Sequence, residues 1–169
     1  MEYWDIYDIN REKTGKVMER KNKVWFKENE YHLGVHVCLF NSKDEMLIQK
    51  RQITRQADPG KWDFSARGSV LKGETAQEGA SREMFEELGI NYDFSNERAK
   101  FTINLPNIFD DYFFAKMDVD IDDLKLQEEE VESAKWASKD EIIELISQDK
   151  FAKCSKELIE FIYFLYLRK

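Results

Sequence analysis

The sequence predicts an α/β fold, a mixed sheet covered by helices on both faces, and three observations support it. β-rich runs recur at His32 to Phe40, Met46 to Arg51, Ile108 to Lys116 and Val131 to Ala137, short and rich in branched and aromatic residues. A capped helical stretch, Ala76 to Leu88, interrupts them, and two more helical stretches follow Ser138. The chain has 169 residues, about one domain's worth, so a single domain over 1–169 is expected.

Composition sets the bounds. Hydrophobic residues make up 42% and aromatics 14%, which suits a packed core, while two prolines and seven glycines leave no low-complexity linker. The formal charge of −8 argues against nucleic acid as partner, since a phosphate backbone needs a clustered basic surface. A small anionic substrate remains compatible if metal ions neutralise the site. Met1 leads into Glu-Tyr-Trp-Asp without a basic and apolar leader, and the last apolar helix, Lys156 to Leu167, is too short to span a bilayer. Cys38 and Cys154 read as reduced thiols, so a cytoplasmic protein without membrane partners is expected, with a homodimer compatible.

In chain order, Tyr3 to Asp8 and Lys16 to Arg20 flank the turn Asn10 to Gly15 and read as an N-terminal β-hairpin. Its aromatics Tyr3, Trp4 and Tyr7 are expected to pack on the domain, and Trp25 to Tyr31 is a linker. His32 to Phe40 and Met46 to Arg51 form a hairpin about the polar turn Asn41 to Asp44. Lys50 and Arg51 end it, and Arg55 and Lys61 follow in a loop; the cluster is either a clamp for diphosphate oxygens or a solvated basic loop. Trp62 to Arg67 is a short strand that delivers Gly68. Ala99 to Leu105 and Ile108 to Lys116 pair about Pro106-Asn107, and the acid-rich stretch Asp118 to Glu130 is a solvated loop. Ser138 with Glu141 is a capping box opening a helix through Ile146. Leu158, Ile159, Phe161, Ile162 and Leu165 give the final helix an apolar side that closes one face of the sheet.

The stretch Gly68 to Ile90 carries the chemistry. Thr75 and Glu78 make a capping box, so the helix begins near Ala76, and Gly89 supplies the left-handed residue that ends it. At 100° per residue, Glu83, Glu86 and Glu87 fall within a stripe about 100° wide, beside the small residues Ala76, Gly79 and Ala80. Like charges at this spacing repel by roughly a few tenths of a kcal/mol per exposed pair, and by more when buried. Either the face is solvated or a cation sits on it. Hard oxygen ligands three and four residues apart suit Mg²⁺ or Mn²⁺, which keep several waters and accept phosphate oxygens as further ligands.

Gly68, Glu74, Arg82, Glu83, Met84, Glu86, Glu87, Gly89 and Ile90 fill without a gap a pattern that resembles the Nudix box, G-x5-E-x7-R-E-U-x-E-E-x-G-U with U aliphatic. Chance agreement at the fixed positions has a probability on the order of 10⁻⁸ to 10⁻⁹ per starting position. The resemblance implies a Nudix-type α/β/α sandwich in which residues 68–90 bind divalent metal and hydrolyse a nucleoside diphosphate linked to another group. It implies Glu83, Glu86 and Glu87 as metal ligands with the Gly68 carbonyl, and Glu86 or Glu87 as the group that orients or deprotonates water. Glu74 and Arg82 become a supporting pair. Arg51, Arg67 and Lys50 are the candidate contacts to the diphosphate, and Glu128, Glu129 or Glu130 a candidate late carboxylate.

The opening Trp-Asp-Ile-Tyr-Asp, then Tyr-His-Leu-Gly-Val-His-Val, Leu-Ile-Gln-Lys-Arg and Pro-Gly-Lys-Trp-Asp-Phe-Ser, are similar to the branch related to isopentenyl-diphosphate isomerase. That enzyme moves a proton on a prenyl diphosphate using a cysteine. Here Arg67 stands at the position of that cysteine and Ser69 at that of a metal-binding histidine, although His32 does match another isomerase ligand. Arginine scarcely releases a proton, so the expectation falls on hydrolysis. His32 and His36 are then expected to be structural. A proline sixteen residues after the box, Pro106, is similar to a feature of the family's ADP-ribose pyrophosphatases, and a silent binding module is disfavoured by the intact box.

Overall fold

The central strand β3 (His32–Phe40) is buried along its whole length, as its unbroken apolar run requires. The computed structural model describes residues 2–21 and 26–168. On one side β3 pairs in parallel with β8 (Ile108–Lys116), which pairs in turn with the antiparallel edge strand β7 (Phe101–Leu105). On the other side it meets β6 (Ala66–Ser69) along its first half, and β4 (Met46–Arg51) at Phe40 and Met46. β4 is flanked by β5 (Trp62–Asp63) and β9 (Val131–Ala137), completing a mixed seven-stranded sheet. A separate hairpin, β1 (Tyr3–Tyr7) with β2 (Lys13–Glu19), precedes it.

Strand alternation builds two cores. Leu33, Val35, Val37 and Leu39 face α1 (Ala76–Leu88) and meet Ala80, Met84 and Leu88. Cys38 and Phe40 point the other way, onto Ile142 of α2 (Lys139–Ser147) and Ile159 and Ile162 of α3 (Lys156–Leu167). Each of the larger of these buried side chains, the Val, Leu, Ile, Met and Phe residues, is worth about 1.5–3 kcal/mol. Helices therefore cover both faces, which is the α/β/α sandwich expected. Both capping boxes form: the Thr75 hydroxyl accepts from the Glu78 N–H at 3.2 Å, and that of Ser138 from the Glu141 N–H at 3.3 Å.

Several expectations need correction. The strand anticipated from Trp62 to Arg67 is two strands, because the chain changes partner from β4 to β3 at Phe64 and Ser65. The Ser65 hydroxyl accepts from the Leu39 N–H at 2.8 Å and donates to the Leu47 carbonyl at 2.6 Å, so it stands in for the missing ladder bonds. The second hairpin strand begins at Lys13 rather than Lys16, and the acid-rich segment holds a 3-10 turn, Ile121–Asp123, capped by Asp120. Phe161 is 44% exposed, lying at the sheet edge against Phe101 with ring centroids 5.2 Å apart; Tyr163 takes its place in the core.

The hairpin docks on the domain beside the box. Trp4 is buried and stacks on His32 at 4.3 Å, Tyr7 exchanges backbone bonds with Tyr31, and the Lys72 N–H donates to the Tyr3 carbonyl at 2.7 Å. Arg11 reaches across to Asp111. Of the anticipated linker, Trp25 lies outside the described residues, and Phe26 stacks on His32. Burial pushes the His32 imidazole down to about 4. No helix among the described residues is long and apolar enough to cross a membrane.

Candidate active site

The box forms one wall of a cleft of about 360 Å³. The capping box starts α1 at Ala76, and Gly89, at φ 71°, closes it while its N–H donates to the Phe85 carbonyl at 2.9 Å. α1 lays its small residues on β6 and β3, and its acidic stripe turns toward the loop after Gly68. Arg82 gathers that stripe. Its Nε donates to Glu74 Oε1 at 2.7 Å, its Nη1 to Glu83 Oε1 at 2.7 Å and Glu86 Oε2 at 2.9 Å, and its Nη2 to the Ser69 carbonyl at 2.9 Å. Burial works against the Arg82 charge, but Glu74 and Glu83 outweigh it and raise its pKa.

The glutamates differ in burial. Glu83 is 9% exposed and Glu87 2%, whereas the Glu86 side chain is 48% exposed. Burial pushes the Glu83 carboxyl up to about 7 against the pull of Arg82, and raises Glu87 well above the carboxylate range, with Glu83 adding repulsion. Glu87 Oε2 accepts from Gln49 Nε2 at 2.6 Å and from the Arg67 N–H at 3.1 Å. A Cβ at Gly68 would overlap the Glu83 carboxylate, so a larger residue there displaces that carboxylate.

No group of three or more His, Cys, Asp or Glu side chains is preassembled around an ion position among the described residues. Glu83 and Glu86 are tied to Arg82 and Glu87 to Gln49. The donor types nonetheless fit a hard divalent cation: buried carboxylates held away from their charged form, and a glycine that leaves the Glu83 head room beside the backbone.

The facing wall is basic. Asp63, fully buried, accepts from Arg51 Nη1 at 3.0 Å and forms an ion pair with Arg67, whose Nε lies 3.0 Å away. Arg51 also donates to the Ala57 carbonyl at 2.9 Å, and burial, with Arg67 close by, lowers its pKa. Both arginines line the cleft, joined by Arg55, which pairs with Glu130 at 2.8 Å. Lys50 does not join them. It follows Gln49, which reaches Glu87 on the α1 side, so strand alternation sends Lys50 to the opposite face, where it pairs with Glu132 at 2.7 Å. Lys61 likewise leaves the cluster for Asp149. Of the three late glutamates, Glu130 lines the cleft.

Sequence reasoning missed Asp63, Gln49 and Asp110. Asp110 receives His36 Nδ1 at 3.0 Å across the parallel β3–β8 pairing, which no local pattern announces. Gln49 carried a signal, since its polar side chain alternates onto the face of Leu47.

Comparison with known proteins bears on this geometry. The NUDIX domain family matches residues 30–160. An uncharacterised Nudix hydrolase of Listeria monocytogenes is 49% identical over 151 residues, covering 89% of this chain and 88% of that protein. An isopentenyl-diphosphate Delta-isomerase of Corynebacterium diphtheriae is 24% identical over 148 residues, covering 78% and 77%. Among solved structures, the protein DR0079 of Deinococcus radiodurans shares the fold, with a TM-score of 0.79 at 23% identity over 96% of this chain and 99% of that one. With the glutamate helix, its arginine and the matched domain in agreement, the chain belongs to the Nudix family, as one of its hydrolases.

Proposed function

We propose that this hydrolase is a divalent-metal-dependent pyrophosphohydrolase that cleaves a nucleoside diphosphate linked to another moiety, by attack of water on phosphorus. The observation that carries this reading is the pairing of two unlike walls across one cleft: Glu83 and Glu86 on one side, Arg51 and Arg67 on the other. Glu83, Glu86, Glu87 and the Gly68 carbonyl would hold Mg²⁺ or Mn²⁺. Such an ion, when bound, supplies a Lewis acid at the diphosphate and lowers the pKa of water.

The chain's own residues supply the rest. Arg51 and Arg67, braced by Asp63, present guanidinium groups to the phosphate oxygens and stabilise the charge that builds on them. Glu86, half-exposed at the cleft although paired with Arg82, is the better placed acceptor for a proton from water, because Glu87 is buried and held by Gln49 and the Arg67 N–H. Glu74 braces Arg82, and Arg82 positions the acidic wall. Isomerisation is disfavoured because Arg67 offers no acid for a buried alkene. Both cysteines are free thiols, in keeping with a reducing, cytoplasmic setting.

The test is phosphate release with Mg²⁺ or Mn²⁺ across nucleoside diphosphates, sugar nucleotides, dinucleoside polyphosphates and isopentenyl diphosphate. Hydrolysis of a nucleotide, lowered roughly 10²–10³-fold by Glu86→Gln, is expected. Formation of dimethylallyl diphosphate with no hydrolysis anywhere in the panel would overturn the reading.

A further inference from the structure

A second cavity, of about 270 Å³, lies on the α3 side of Arg67 and shares His36, Arg67 and Asp110 with the cleft. The two cavities adjoin at these residues, so a ligand that spans them would have its charged part among the arginines and its attached group in the second cavity. That cavity has an apolar lining from Phe64, Ile103, Leu105 and Leu158. Asp63, Arg67, Asp110, Lys153 and Ser155 also line it, and two further polar groups sit on its rings. His36 is 9% exposed and its Nδ1 is committed to Asp110, and Tyr112 is 4% exposed. Neither His36 Nε2 nor the Tyr112 hydroxyl has a hydrogen-bond partner among the described residues, although both side chains line the cavity.

The rings that carry these groups are fixed. His36 stacks on Tyr112 at 4.5 Å, Phe101 stacks on the other face of Tyr112 at 4.5 Å, and Phe64 meets both edge-on. With Nδ1 turned to Asp110, Nε2 is the ring nitrogen left for a guest, and the Tyr112 hydroxyl serves as donor or acceptor. Both groups open onto the cavity, and a wholly apolar guest would bury them without partners, at a cost. A flat guest with a polar edge satisfies both and fills the apolar walls.

We propose that this cavity is the nucleobase subsite of the enzyme, with His36 and Tyr112 as its specificity-determining residues. The inference rests on the nucleoside diphosphate reading above, and it fixes where the base lies: between β7, β8 and the start of α3, away from the N-terminal hairpin.

The experiment compares kcat/KM for the best nucleotide of the panel with that for the same diphosphate carrying ribose without a base. It uses the wild type, Tyr112→Phe, which keeps the ring stack, and Ile103→Trp, which fills the cavity from its half-exposed rim; thermal melts check that each variant folds. The wild type should lose roughly tenfold or more when the base is removed. Tyr112→Phe should shrink that ratio severalfold, and Ile103→Trp should bring it close to one, chiefly through KM for the nucleotide. An unchanged ratio in both variants overturns the subsite while leaving nucleotide hydrolysis standing. Loss of prenyl diphosphate hydrolysis in Ile103→Trp, with nucleotide turnover untouched, assigns the cavity to an apolar group and overturns it as well. A wild type that turns over no nucleotide sinks the underlying reading, and this inference with it.

Discussion

The two walls of the cleft are built on the same plan with opposite charge, and they end in different electrostatic states. On the acidic wall one arginine, Arg82, gathers Glu74, Glu83 and Glu86, with Glu87 just behind them. On the basic wall one aspartate, Asp63, braces Arg51 and Arg67. The basic wall is close to satisfied, for each guanidinium has a carboxylate within hydrogen-bond distance. The acidic wall is not: Glu83 and Glu87 are buried and pushed toward their protonated forms despite Arg82. The acidic wall lacks a cation's charge and the basic wall has guanidinium groups to offer an anion, which is the basis of the proposed metal–diphosphate reading.

The contrast breaks most severely at Asp63. Asp63→Ala leaves Arg51 and Arg67 without their shared carboxylate, and urea unfolding should show a loss of about 3–5 kcal/mol. A loss below about 1 kcal/mol would mean that the arginines find other partners and that the basic wall does not depend on Asp63.

On the acidic wall the sign reverses. In chelator at pH 7.5, Glu83→Gln should stabilise the protein, by up to about 3 kcal/mol. The reason is linkage: with a folded value near 7 against an ordinary 4.5, the folded chain keeps a proton that the unfolded chain has released, so stability falls as pH rises between those values. His32 works the opposite way, because its folded value near 4 lies below the ordinary 6.5 and its burial is favoured as pH rises. The difference between wild type and Glu83→Gln, followed from pH 5 to 7.5, isolates the glutamate. A difference that does not change with pH would contradict the assignment of Glu83 as the uncompensated charge.

A gentler displacement comes from Gly68→Ala, whose new methyl group must push the Glu83 carboxylate aside. Turnover should fall roughly 10–100-fold with the fold retained; full turnover would show that the Glu83 position is not critical. The smallest effect belongs to Lys50→Ala. It removes an exposed pair with Glu132 on the face away from the cleft, so stability should stay within about 0.5 kcal/mol and kcat/KM within roughly twofold. A large loss of kcat/KM would return Lys50 to the diphosphate.

The acidic wall was legible in the sequence because it is local. Gly68 to Ile90 is one contiguous stretch, its helix is announced by Thr75 and Glu78 and ended by Gly89, and helical periodicity alone brings Glu83, Glu86 and Glu87 to one side. The basic wall was only half legible. Arg51 and Arg67 stood out as charges at strand ends, but Asp63 gains its role from the pairing of β4 with β5, and the break at Ser65 leaves no trace in a β-rich run. Lys50 was misplaced although strict alternation puts it opposite Arg51. His36 and Asp110, 74 positions apart, meet through the register of a parallel pair, which is set by tertiary packing.

The acidic wall is proposed as a divalent-cation site. Its most direct test is a calorimetric titration with Mn²⁺ of the wild type and of the double variant Glu86→Gln with Glu87→Gln, both shown to be folded. The wild type should bind with a measurable heat, and the variant should bind at least roughly tenfold more weakly, because two of the three proposed carboxylate ligands are gone. Identical binding by the two proteins would contradict the account.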